Sequence, residues 1–454
     1  MRRHGPLLAL VLCALALRLL LAGTTAYVHD EVNTAIPLAD SISFTPGSIN
    51  LPLRGENHGA LPAYIVHVSR TVFGRSPLGT RTMHVLLGIA TILLIYRLAH
   101  TWFGATAAYW SAALMAFNEY YLDVSSRATA HVPHLFFAGA AIFLFVRFLC
   151  SERAINLYGA GAALGLAFYC KEHSALLLPL CFATLLRAKY RPWLRRPHPY
   201  LACALFVALL LPDLAWNRRS SDEPSRIGYG DMQAEQATYR AHLRRIGGLG
   251  LSPYPAMFYA RDEVTSVHRA LTGQQLVDAT PEYQSMNGLL GILLLGAVAL
   301  TLFSPARRVD ATAFLLLVFL FIFGFFTFIK KGNPPGRLDP VSWIWVEVTL
   351  MPAVVLGGAR LAAAGGMRIA AWTAAAAGLA YAAAAPLIGL GRSTGRAGQE
   401  AVSWVSHVIQ VMLIATVASV RERPLVSIAI AVAASGIVGL LAGFAAGWFA
   451  RGRR

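Results

Sequence analysis

The chain has 454 residues, 56% of them hydrophobic and only 13% charged, with apolar runs recurring from end to end. This excludes an ordinary soluble domain, and continuous runs such as 314–329 and 426–449 exclude a β-barrel of short alternating strands. The formal net charge of +17 would point to nucleic acid in a soluble protein; here many basic residues sit in short loops between apolar runs, where they set topology and meet anionic lipid, so no nucleic-acid partner is expected.

In chain order, the first span is predicted at 7–27. Met1-Arg2-Arg3-His4 precede it, placing the N-terminus in the cytoplasm and the next loop outside. The span is long and lacks a small-residue cleavage site, so it reads as an uncleaved signal anchor. Asp30 and Glu31 follow at once, in an outer loop of 28–61 that also holds Asp40, Arg54, Glu56, Asn57 and His58. The stretch 60–73 is too short to cross a bilayer of about 30 Å and carries His67 and Arg70, which predicts a helix lying along the outer surface.

Spans are then expected at 81–99, 106–121, 131–148, 155–169, 174–186 and 200–216. This register puts Arg97, His100, Arg147, Arg153 and the basic run 187–196 inside. The longest polar segment, 217–285, falls outside as a small helical loop domain. Further spans follow at 288–303, 314–329, 342–361, 369–390, 402–420 and 426–449, about thirteen in all. An odd count leaves Arg451, Arg453 and Arg454 outside, against the charge rule. The chain divides into an N-terminal catalytic membrane module (1–216), an outer loop region (217–285) and a C-terminal membrane module (286–454). Cys13, Cys150, Cys170, Cys181 and Cys203 lie in or beside apolar segments without metal-ligand spacing and read as small buried residues.

Charge beside hydrocarbon is avoided unless it has work to do. Asp30 and Glu31 repel when both are ionised, so their pKa values separate and one can act as a base near neutral pH; an inert loop entry is the alternative. His58 sits where a polar cluster enters the surface helix, within reach of that pair or as a capping residue. Arg127, after Ser125-Ser126, can grip a phosphate or pair with Asp123; Glu119 and His131 are nearby polar residues. Lys171, Glu172 and His173 crowd a tight outer turn, where Lys171 could neutralise a phosphate. Lys330, Lys331 and Arg337 form a positive outer loop that breaks the charge rule, through anion binding or a local flip of topology.

In this order, these patterns resemble the C-type membrane glycosyltransferases, in the branch of the dolichyl-phosphate-mannose protein mannosyltransferases and the lipid-A aminoarabinose transferases. Asp30-Glu31 is similar to that family's acidic motif in the first outer loop. The run from Asn57 to Tyr64 is similar to its polar-Pro-Pro-Leu-aromatic stretch, with Gly59-Ala60 in place of the prolines. Ser126-Arg127-Ala128 is similar to a Ser-Arg motif, and Tyr169-Cys170-Lys171-Glu172 to a Lys-containing turn. The likeness covers the first half; in the second, Trp343-Ile344-Trp345-Val346-Glu347 stands where the family often has Arg or His with Tyr.

The resemblance implies an all-α polytopic fold with outer-face interfacial helices, multi-pass in the inner (plasma) membrane. It implies transfer of a hexose or pentose from a polyprenyl-phosphate-sugar donor to a lipid, glycan or protein hydroxyl at the outer face, with inversion. Asp30 would be the general base and Glu31 its partner or a ligand; Lys171, Arg127 and His58 would neighbour the donor phosphate. Glu172, His173, Asp123, Lys330 and Arg337 would support them, and a divalent metal ion is left open. The alternatives are a secondary transporter or lipid flippase using the same charges, and a binding subunit that kept the fold without the chemistry.

Overall fold

The structure is a computed structural model, and it describes residues 5–28, 30–46, 49–51, 59–222, 289–304, 309–330 and 346–364, together with 248–249, 255–256 and 258–259. The expected spans at 369–390, 402–420 and 426–449, the C-terminal arginines, and His58 and Arg337 lie outside the described residues. Among the described residues there are five helices long and apolar enough to cross a membrane and four shorter apolar ones. The described α-helices are α1 (Gly5–Thr24), α2 (Ile36–Ser41), α3 (Leu61–Phe73), α4 (Pro77–Ala116), α5 (Glu119–Val124), α6 (His131–Ser151), α7 (Ala154–Phe168), α8 (Leu177–Leu185), α9 (His198–Asp222), α10 (Leu289–Leu302), α11 (Asp310–Phe328) and α12 (Leu350–Ala364). The only described strands are the antiparallel two-residue pair β1 (Gly248–Leu249) and β2 (Ile329–Lys330).

The long element α4 is two helices. Gly104 breaks it with φ +82°, a left-handed conformation that costs glycine nothing for want of a Cβ. Tyr96 and Tyr109, which would stand about 20 Å apart on a straight helix, meet with ring centroids 5.3 Å apart. The chain therefore turns back at Gly104, as the separate spans 81–99 and 106–121 predict. Ser76 starts α4 by accepting a hydrogen bond from the Gly79 amide, with Pro77 in the first turn, where its missing N–H costs nothing.

With that hairpin, the helices alternate in direction and sort the polar residues to two ends. At one end Asp310 binds Arg187 at 2.6 Å, Lys189 at 3.1 Å and the Tyr190 hydroxyl at 2.6 Å. Tyr190 also donates to the Leu149 carbonyl, so the basic run closes the far ends of α6 and α11. At the other end stand Asp30, Arg81, Tyr120, His131 and Lys171. The last turn of α11 belongs there too, because Phe326 packs edge-on against His173.

Lipid tails are as apolar as leucine, so helices in a membrane associate by close packing rather than by hydrophobic burial. Gly161 and Gly165 of α7 face Ala202 and Leu209 of α9, and a Cβ at Gly161 would strike the Ala202 carbonyl. The helix α3 is short and amphipathic as expected: Pro62, Ala63 and Val66 are buried while Val68, Val72 and Phe73 are exposed. Its inner face meets Ala35, Ala39 and Ala128, Arg70 pairs with Asp40 at 3.3 Å, and α3 thereby lies over the first loop.

Candidate active site

Asp30 and Glu31 come apart at the start of a single π-helical turn, Glu31–Ala35. Glu31 points inward and is fully buried. Its Oε1 accepts from Arg81 Nε at 2.7 Å and from the Ala128 amide at 2.7 Å; its Oε2 accepts from Arg81 Nη2 at 2.5 Å and from the Val28 amide at 2.9 Å. Arg81 spends its remaining donors on Ala22, Thr25 and Ala26. Glu31 is thus engaged by a buried bidentate ion pair and does not sit as a partner of Asp30.

Asp30 is half-buried and lines a cavity with Thr34, Gly59, Pro62, Thr129 and His131. Gly59 is there because nothing larger fits: a Cβ on it would collide with the carbonyl of Tyr169. That contact seats the end of the first outer loop on the turn that carries Lys171.

Lys171 is 3% exposed. Its Nζ lies 3.0 Å from Glu347 Oε1 and 2.6 Å from His131 Nδ1. Burial lowers its pKa from the ordinary lysine value, while Glu347 first and Asp30 after it pull the other way. Asp30 therefore acts on Lys171 across the site.

Behind these groups stands Glu347, fully buried, at the end of the 343–347 run that the sequence marked only as a departure from the family pattern and gave no role. Its Oε2 accepts from the Tyr120 hydroxyl at 2.6 Å and from His131 Nδ1 at 2.7 Å, and its Oε1 from His134 Nδ1 at 2.5 Å, besides Lys171. His131 and His134 are one turn apart on α6 and so share a face.

Arg127 is ion-paired with Asp123 at 2.8 Å, the alternative that the sequence left open for it. Glu172 and His173 follow Lys171 in a 3-10 turn, with His173 edge-on to His134 at 4.6 Å. Lys330 follows α11 in β2, whose backbone pairs with Gly248 and Leu249. Part of the long loop reaches the site as well: Phe258 packs edge-on against Tyr120 at 4.9 Å, and the hydroxyls of Tyr259 and Thr349 lie 2.7 Å apart.

Residues 57–216 match the sequence profile of the family described as dolichyl-phosphate-mannose-protein mannosyltransferase. In structure the chain is similar to ArnT from Cupriavidus metallidurans bound to undecaprenyl phosphate, with a TM-score of 0.60 and 15% identity over 97% of this chain and 77% of ArnT. This chain resembles the C-type membrane glycosyltransferases. The same ArnT in its apo state gives a TM-score of 0.58, again at 15% identity over 97% of this chain and 77% of that one; at this identity the likeness is one of fold. An uncharacterized protein of Aquifex aeolicus (strain VF5) is 28% identical over 136 residues, 29% of this chain and 27% of that protein. The chain thus matches about a quarter of the length of this relative.

Within this glycosyltransferase-like fold, His134, His173 and Glu347 bring one potential ligand atom each within 4.8 Å of one another. They do not fit a divalent ion as arranged. Glu347 already accepts from Tyr120, His131, His134 and Lys171, and the Lys171 ammonium stands 3.0 Å from the oxygen an ion would need.

Proposed function

We propose that this chain is a membrane glycosyltransferase that moves a sugar from a polyprenyl-phosphate donor to an acceptor hydroxyl at the outer face of the membrane. The observation that carries the reading is the pairing of opposite charges on one cavity: Asp30 on its wall, with Lys171 held behind His131. Asp30 takes the proton of the acceptor hydroxyl as its oxygen bonds to the anomeric carbon. The bond from that carbon to the phosphate oxygen breaks on the opposite face, so the product is inverted. The leaving lipid phosphate keeps the bonding electron pair, and fixed cations in a water-poor site stabilise the charge that builds there.

Lys171 is the main cation in this scheme. Arg127 is the second, because a guanidinium has five donors and its pair with Asp123 leaves some for a phosphate oxygen. Glu31 serves as a brace, tying the Asp30 loop to α4 and to the 128 backbone. An apolar cavity lined by Ile142, Phe145, Leu164, Leu177 and Cys181 runs between the helices that carry His131 and Lys171, and it suits the polyprenyl tail. The sugar is a hexose or pentose, and the acceptor a lipid, glycan or protein.

A transporter or flippase would place its charges near the bilayer midplane. The charges here gather at the two ends of the helices, those of the candidate site at one of them, and Arg18 between them is bound by Ser125 and by the Ala14 and Ala116 carbonyls. Turnover of a panel of radiolabelled polyprenyl-phosphate sugars by the purified chain in proteoliposomes tests the proposal. Asp30→Asn should cut transfer by about 100-fold or more with undecaprenyl phosphate still bound; transfer at the wild-type rate would remove Asp30 as the base.

A further inference from the structure

Glu347 is the least expected residue of the site. It lies in an apolar run that enters α12, it is fully buried, and a carboxylate there is costly unless it is paired. Four donors from three separate segments converge on it: Tyr120 from α5, His131 and His134 from α6, and Lys171 from the turn after α7. Two of these, His131 and Lys171, are the groups that face Asp30.

We infer that Glu347 is a positioning residue, the buried counter-charge that keeps Lys171 an ammonium and fixes the His131 ring at the wall of the Asp30 cavity. The inference rests on the transferase reading for its purpose, but its geometry stands alone. His131 Nδ1 lies within hydrogen-bonding distance of both Glu347 and Lys171 and engages one of them at a time, donating to the carboxylate as Nδ1–H or accepting from the ammonium, with Nε2 left as the ring nitrogen for the cavity. The groups around Glu347 are Tyr120, His131, His134 and Lys171 in direct contact, His173 against His134, and Asp30 acting on Lys171. Glu347 is the largest of the influences that favour the charged Lys171, ahead of Asp30 and the neighbouring Cys170, and burial opposes them all.

Removing that charge has a definite sign. A lysine buried without its carboxylate gives up its proton at a lower pH. The free Glu347→Gln protein would then lose the Lys171 proton at a lower pH than wild type, so its alkaline loss of affinity for a phosphate ligand would set in at a lower pH as well.

The test uses the full-length protein in detergent with two readouts. The first is the pH dependence of Lys171 acylation by acetic anhydride, followed by mass spectrometry, in wild type, Glu347→Gln and Glu347→Asp. The labelling midpoint should drop by about one pH unit or more in Glu347→Gln and stay near wild type in Glu347→Asp, which keeps the charge. An unchanged midpoint in Glu347→Gln overturns the inference, and the Asp variant decides it on the same readout, as loss or rescue of the wild-type midpoint, where Gln prevents folding. The second readout is binding of undecaprenyl phosphate from about pH 6 to about pH 9, with an alkaline loss that sets in at a lower pH in Glu347→Gln expected and identical pH profiles counting against the inference. Wild-type affinity in Lys171→Ala would instead sink the phosphate role of Lys171 and leave the labelling result on Glu347 standing.

Discussion

Asp30 and Glu31 are neighbours in sequence with different surroundings. Adjacency suggested a mutually perturbed pair, but a single π-helical turn sends Glu31 into Arg81 and leaves Asp30 on the cavity. The two residues should therefore fail differently. Removing one member of a buried ion pair strands the other charge, at a cost of about 3–5 kcal/mol, so Glu31→Ala or Arg81→Ala should lower the melting temperature sharply in detergent. Asp30→Asn should melt like wild type and lose transfer; the reverse pattern would exchange their roles. Lys171 stood out in the sequence because a tight turn between two spans leaves a lysine little room to escape the protein interior. Glu347 was not, since its meaning lies in contacts with positions 120, 131, 134 and 171, which no local pattern encodes.

At the scale of elements, the site is assembled by short tethers between segments that hydropathy treats as separate. The Ala128 amide binds Glu31, joining the loop after α5 to the loop after α1, and Gly59 rests on the Tyr169 carbonyl, joining the first loop to the Lys171 turn. Gly59→Val should push these two apart while leaving the helices intact. Misplacing a reacting group by about 1 Å costs about 100-fold in rate, so the expected result is a large drop in transfer with little change in melting temperature. Wild-type transfer would show that the tether is dispensable. The sequence reading anticipated the break between 99 and 106 and a short helix over 60–73, since Arg97 and His100 between apolar runs and a run too short for the bilayer are local signals. The insertion of Phe258 and Tyr259 beside Tyr120 and Thr349 was hidden inside a polar segment, because two buried aromatics do not raise the hydropathy of a long loop.

Across the whole molecule, alternating helices separate two chemistries. The basic end, built on Asp310 with Arg187, Lys189 and Tyr190, is half-exposed and suited to anionic lipid; the opposite end holds buried, closely bonded charges. Basic residues between spans made the separation of Arg187 and Lys189 from Asp30 and Lys171 readable, because the charge rule is counted from sequence alone. On this account Lys189→Ala, at the far end, should leave transfer within about twofold of wild type, as substitutions at exposed surface charges usually do; a large loss would tie the two ends together. The most direct measurement is a cryo-EM map of the full chain in lipid nanodiscs with undecaprenyl phosphate. Density for the phosphate within hydrogen-bonding reach of Lys171, beside the cavity of Asp30 and His131, is the predicted result; phosphate seated instead at the basic end around Arg187 and Lys189 would contradict it.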